Sequence, residues 1–182
     1  MNRVFSVVRT DRRMQQRAVG ALAAVVLLLG FGSTAWAGDL KVTIAGVRSD
    51  AGTIMIGLYD TALGFDSAIK RSTEAGLLND PGRLAGVAMR AAGCHSIVFP
   101  DLRPGRYAVI AFHDENDNGR LDENAWGVPT EGYGFSNDAQ GFLAAPSFDA
   151  AAVTLGDEAV SEIAISLIYS KTALRTARPS ID

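Results

Sequence analysis

The sequence predicts an all-β fold, an antiparallel β-sandwich of about seven strands with one short helix and one long ordered loop. Three observations lead there. Short apolar-alternating runs recur at close spacing, turn-forming residues punctuate them, and only one scrap of helical periodicity interrupts them. The segment that carries this pattern, residues 38–170, is long enough to bury one real core.

The first strand is set by Leu40, Val42, Ile44 and Val47, which nearly alternate with polar or small residues. A turn, residues 48–52, leads to a second strand over residues 53–59, with Ile54, Ile56 and Leu58 on one face. The two are expected to form a hairpin. Phe65 and Ile69, four apart, give one or two helical turns within residues 64–71, and residues 74–83 read as loop. Residues 84–92 give a third strand and residues 96–99 a fourth. Pro104-Gly105 then turns the chain into a fifth strand, residues 106–113. Tyr107, Val109 and Ala111 there oppose Ala108, Ile110 and Phe112, so both faces are apolar and the strand is expected to be central.

Residues 124–149 are rich in Gly and Pro but carry Trp126, Tyr133, Phe135, Phe142 and Phe148. Disordered segments are poor in rings, so this stretch reads as one long ordered loop tied down by its aromatics, and loops of that length are usually functional. Two strands follow, residues 151–155 and 161–170. The tail, residues 171–182, is polar and expected to fray.

Residues 1–37 read as a secretory signal peptide. Arg3, Arg9, Arg12, Arg13 and Arg17 precede an apolar run, residues 18–31, and Ala35-Trp36-Ala37 is an A-x-A cleavage signal. The apolar run is too short to span a bilayer, so no membrane span is expected in the mature chain, which would be periplasmic or secreted. The whole chain has 17 basic and 20 acidic residues; removing a leader with five Arg and one Asp leaves the mature chain near −7. An acidic protein without a basic stripe is not a nucleic-acid binder. A single cysteine, Cys94, excludes an intramolecular disulfide. It sits beside His95 in a small-residue turn and reads as a partly buried, inert thiol.

The chemistry concentrates in residues 113–124, H-D-E-N-D-N-G-R-L-D-E-N, where five of twelve residues are carboxylates and three are Asn. Asp114, Asn116, Asn118 and Asp122 match positions 1, 3, 5 and 9 of a calcium loop, and Gly119 takes the sixth position for the sharp turn. Arg120 offers a carbonyl at the seventh, and Leu121 is an inward apolar eighth. Position 12 is Ala125 where such loops have Glu, and a strand enters instead of a helix, so this is not an EF-hand. Glu131 is the candidate substitute, reached if residues 127–134 fold back over the loop. The expected cofactor is Ca²⁺, held with roughly 10⁻⁴ to 10⁻³ M affinity. The same residues describe a tight Asx-type turn with no metal nearly as well; the ion is favoured because positions 114, 116 and 118 all carry oxygen ligands, where a turn needs only one or two.

Residues 97–109, I-V-F-P-D-L-R-P-G-R-Y-A-V, resemble a recurring hairpin of transthyretin-like and Cna-B-like sandwiches. Together with residues 112–119, 127–137 and 145–151, they resemble an uncharacterised bacterial exported protein family, domain of unknown function 2141. The resemblance covers nearly all of residues 39–170. It implies a prealbumin-like sandwich and export, and it implies no activity.

The leading functional reading is a non-enzymatic binding or interaction module of the cell envelope, its partner an envelope protein or glycan, with a weak structural calcium loop. Two alternatives use the same region. One is an envelope hydrolase in which His113 acts with Asp114 or Glu131, although no nucleophile motif such as G-x-S-x-G is present. The other is a carbohydrate- or peptide-binding surface formed by Trp126, Tyr133 and Phe135.

Overall fold

The structure, a computed structural model, describes residues 37–142, 144–156 and 160–170. The expected leader up to residue 36 and the C-terminal tail, 171–182, lie outside the described residues. Among the described residues there are eight strands: β1 (Gly38–Ala45), β2 (Thr53–Tyr59), β3 (Ala85–Arg90), β4 (Ser96–Leu102), β5 (Gly105–Asp114), β6 (Gly132–Phe135), β7 (Val153–Leu155) and β8 (Val160–Ser166). Helix α1 is Ala62–Arg71 and a single turn, α2, is Phe148–Ala151. Among the described residues no helix is long and apolar enough to cross a membrane.

The strands make two sheets, β4-β1-β8 and β3-β2-β5-β6, with β7 pairing the start of β5. Alternation explains what lies between them. Leu40, Val42 and Ile44 of β1, Ile54, Ile56 and Leu58 of β2, Val109 and Ala111 of β5, and Ile165 of β8 close one inter-sheet core. The all-β sandwich is thus as the alternation predicts. β5 lies between β2 and β6 and is buried on both faces, as its two apolar faces require. Its second face, Ala108, Ile110 and Phe112, packs with Phe65 and Ala68 of α1, Leu121, Phe135 and Phe148 in a second cluster. Thr61 caps α1, its Oγ1 accepting from the Gly64 N–H.

Several expectations are corrected. β1 and β2 do not form a hairpin; they belong to different sheets, and so do β4 and β5, so residues 46–52 and 103–104 are crossings between layers. The β1–β8 pair is parallel, whereas the other strand pairs are antiparallel. Periodicity assigns faces and not partners or direction, so neither feature could be read from it. The 124–149 stretch is also more structured than one loop. It holds a bridge between Glu123 and Pro129, then β6, a 3₁₀ turn at Ser136–Asp138, and α2. Phe135 and Phe148 do tie it down, but Trp126 and Phe142 are 88% and 93% exposed. Strand β7 starts two residues later than expected, because Ala151 belongs to α2. β8 ends at Ser166, with an isolated bridge between Ile168 and Tyr133 beyond it. Cys94 is exposed, not partly buried.

Candidate functional site: the loop at the exit of β5

β5 delivers His113 and Asp114, both fully buried, to the edge of the sandwich. The chain then reverses. Asp117 adopts φ 58° and Gly119 φ 80°, left-handed conformations that Asp tolerates and Gly favours. The Asp114 carboxylate organises this reversal, accepting from the N–H of Asn118 (3.0 Å) and of Gly119 (2.7 Å). Asn116 Oδ1 accepts from Asn118 N–H, and Asn118 Oδ1 accepts from Arg120 N–H. The amide nitrogens of Asn116 and Asn118 both donate to the carboxylate of Asp122, at 2.7 and 2.9 Å. The structure therefore brings Asp114, Asn116, Asn118 and Asp122 into one hydrogen-bonded cluster.

Leu121 turns inward, as expected for the eighth position. It is buried in the second apolar cluster, and its N–H donates to Ser72 O. From Asp122 the chain runs into a small hairpin whose tip is closed by Asn124. The Asn124 Oδ1 accepts from the N–H of Trp126 and of Val128. The return arm brings Glu131 back over the loop. Its carboxylate, 4% exposed, accepts from Glu115 N–H (2.8 Å) and Asp122 N–H (3.0 Å), clasping both ends of the acidic turn. Burial is the main cause that raises its pKa from the ordinary 4.5 to about 7. The two backbone donors oppose the rise, and the carboxylates of Asp122 and Asp114 add to it. Among the described residues, Asp114, Asp122 and Glu131 are in no ion pair with Lys, Arg or His.

Two glycines fix the surroundings. A Cβ on Gly52 (φ +73°) would lie 2.0 Å from Asp114 O, and one on Gly76 (φ +75°) would lie 1.8 Å from Gly119 O. Backbone from the β1–β2 crossing and from the segment after α1 thus presses directly on the loop.

Beside the loop lies a polar network that no local pattern announces. Glu115 binds Arg48 through two carboxylate–guanidinium contacts, Nε to Oε1 at 3.0 Å and Nη2 to Oε2, and also accepts from Ser49. The Arg48 guanidinium holds the Glu115 carboxyl below the usual range and lies 4.4 Å over the Tyr169 ring. His113 Nε2 is 2.7 Å from Ala51 O, an obligate acceptor, so that nitrogen carries the proton. In the neutral ring His113 Nδ1 then accepts from the Tyr169 hydroxyl at 2.8 Å. Both ring nitrogens are used and the ring is sealed from solvent. The hydrolase alternative requires His113 to converge with Asp114 or Glu131 in a pocket; the ring nitrogens of His113 instead bond Ala51 O and the Tyr169 hydroxyl. Arg48, Ser49 and Tyr169 escape sequence reasoning because they lie more than 50 residues from their partners, with no repeat or spacing to connect them.

Of the three aromatic residues expected to form one surface, Tyr133 and Phe135 lie together and Trp126 stands apart. Trp126 stands at the exposed hairpin tip. Phe135 is buried, and Tyr133 is half-buried with its ring edge-on to Phe135 at 6.1 Å. Tyr133 and Phe135 contribute to the wall of a cleft of about 550 Å³, and Trp126 does not. Cys94 and His95 stand apart from the loop's hydrogen bonds; His95 Nε2 bonds Ala91 O.

A family model described as uncharacterized protein conserved in bacteria (DUF2141) matches residues 42–163. No curated protein is significantly similar in sequence. Among solved structures, a fimbrial assembly protein from Parabacteroides distasonis is similar at 10% identity and a TM-score of 0.39. The alignment covers 73% of this chain, which spans about half (53%) of that protein. A likeness that distant carries no functional argument.

Proposed function

The chain belongs to the DUF2141 family, and we propose that it is an exported, non-enzymatic β-sandwich that serves as a binding or interaction module of the cell envelope, with a weak calcium site at the exit of β5. The observation that carries the calcium reading is Glu131. The sequence lacks the carboxylate that closes a calcium loop at its twelfth position, and a buried carboxylate from the return arm sits across the loop's two ends. Three acidic side chains, Asp114, Asp122 and Glu131, lie close enough for the first two to raise the pKa of the third, and none has a basic partner among the described residues. A divalent cation would relieve that repulsion.

The donor types, carboxylate and amide oxygens, are those a hard ion takes, although among the described residues no three acidic side chains are already gathered at metal-binding distance. Each carboxylate oxygen that accepts one backbone hydrogen bond keeps a second lone pair. Asn116 and Asn118 donate to Asp122 through their NH₂ groups, and each of their Oδ1 atoms, which accepts one backbone N–H, keeps a second lone pair for an ion. Oxygen-only ligands favour Ca²⁺ over transition metals, and the reluctance of Mg²⁺ to shed water favours Ca²⁺ over Mg²⁺. The role assigned to the ion is to hold the loop and its hairpin in place. The sealed His113 supports a binding role over a hydrolytic one. Export rests on the leader-like residues 1–37, and an envelope protein or glycan remains the proposed partner.

Calorimetric titration of the purified protein with CaCl₂ tests the site. One site with a Kd of roughly 0.1–1 mM is expected, absent in Asp114→Ala and markedly weaker with MgCl₂. Equal, featureless heats for the wild type and Asp114→Ala would refute the calcium reading.

A further inference from the structure

The cleft of about 550 Å³ lies outside the inter-sheet core and beside the acidic loop, whose Leu121 and Glu123 line it. Its floor is the outer face of β5 and β6, where Phe112, Tyr133 and Phe135 lie. The hairpin after the acidic loop forms one wall, and residues 139–141 and 144–146 form the other. The second apolar cluster, which elsewhere is covered by α1 and α2, thus opens to solvent here. Pockets for small molecules commonly have volumes of roughly 300–1,000 Å³, mostly apolar walls and a few polar groups that set orientation. This cleft meets each criterion. Glu123, Ser72, Gln140 and Tyr133 are the residues on its lining with polar side chains, and among the described residues no Lys, Arg or His lines it.

That charge pattern selects the occupant. A carboxylate or phosphate headgroup would meet the exposed Glu123 carboxylate with no cation among the described lining residues to receive it, and like charges repel. An uncharged apolar molecule meets no such penalty, and an ammonium or amide donor at one end would pair with Glu123 or Gln140. We propose that this cleft is a binding site for a small apolar molecule, ring-bearing or aliphatic, whose polar end is neutral or cationic, and that it excludes fatty acids and other anions. The site requires no ion in the acidic loop.

The test is fluorescence titration with the neutral probe N-phenylnaphthylamine in EDTA, so that its outcome is separate from that of the calcium site. Saturable enhancement at one probe per chain is expected, displaced by dodecylamine and not by laurate. Ala144 and Ala145 line the cleft and are exposed. Ala144→Phe and Ala145→Phe should each weaken probe binding about tenfold with unchanged melting temperature, because the new ring occupies the space and not the core. Glu123→Gln should weaken dodecylamine several-fold and leave the probe unaffected. Three results would overturn the proposal: no saturable enhancement, enhancement unaffected by either Phe variant, or displacement by laurate as strong as by dodecylamine. Sedimentation velocity without ligand serves as the last check. A monomer is expected, and a dimer dissociated by both Phe variants would assign the cleft to a second copy of the chain instead.

Discussion

At Glu131, burial favours the protonated carboxyl while N–H donors from Glu115 and Asp122 favour the anion, and burial prevails, lifting the pKa to about 7. The consequence for stability has a definite sign. The folded chain holds a proton there that the unfolded chain, near 4.5, releases earlier. The contribution is therefore complete below about pH 4.5 and is lost as pH rises through 7. In EDTA, melting temperature between pH 5 and 8 should fall more steeply for the wild type than for Glu131→Gln; parallel curves would remove Glu131 from this role. Calcium should reverse the trend, since a carboxylate must lose its proton to bind a cation. At Tyr169, replacement by Phe removes the hydroxyl that donates to His113 and accepts from Arg48 N–H. Chemical denaturation should show a loss of about 1–3 kcal/mol, the cost of leaving a buried partner unsatisfied.

At the scale of elements, β5 decides where the loop can be. It is buried on both faces, so a one-residue slip would exchange Val109 and Ala111 with Ala108, Ile110 and Phe112 and mispack both apolar clusters. The acidic turn starts where its pairing with β2 ends, at the Thr53–Asp114 pair. Leu121 then fastens the far side of the turn into the second cluster. Leu121→Ala should cost about 2 kcal/mol, the low end for a buried Leu because the site borders a cleft. It should also weaken calcium binding in the same calorimetric titration, since the loop would lose its anchor. Much of this element was legible in the chain. The double-sided apolar pattern of residues 107–112 marks a central strand, the D-x-N-x-N-G spacing marks the reversal, and Leu121 marks the inward face. The reach of Glu131 was legible as soon as position 12 was seen to lack an acid. The Arg48–Glu115–Tyr169 network was not, because contacts between segments 67 and 121 residues apart leave no local periodicity. The cleft was invisible for a related reason. Tyr133 and Phe135 read as rings of a loop, and only the pairing of β6 with β5 reveals which side faces solvent.

At the scale of the whole molecule, the two ends of the described domain lie side by side, with β1 and β8 paired in parallel over seven residue pairs. A parallel pair normally needs a long crossover; here the rest of the sandwich is that crossover. The consequence is that the chain just after the proposed cleavage point is a structural strand, with Leu40 fully buried. Cleavage after Ala37 would leave β1 intact, whereas loss of a further five residues would remove Leu40 and Val42 from the core and should prevent folding. Fractionation of a bacterial host expressing the full chain, followed by N-terminal sequencing, is expected to find a periplasmic or secreted product that begins at Gly38. A cytosolic product retaining Met1 would contradict the proposed export.

The central claim is that the exit of β5 holds calcium, and the most direct measurement is a diffraction structure of the protein grown in millimolar Ca²⁺. The prediction is one ion with oxygens of Asp114, Asn116, Asn118 and Asp122 at roughly 2.3–2.6 Å and Glu131 turned toward it, directly or through one water. An unaltered turn, with Asn116 and Asn118 still donating to Asp122 and no ion between them, would contradict the claim.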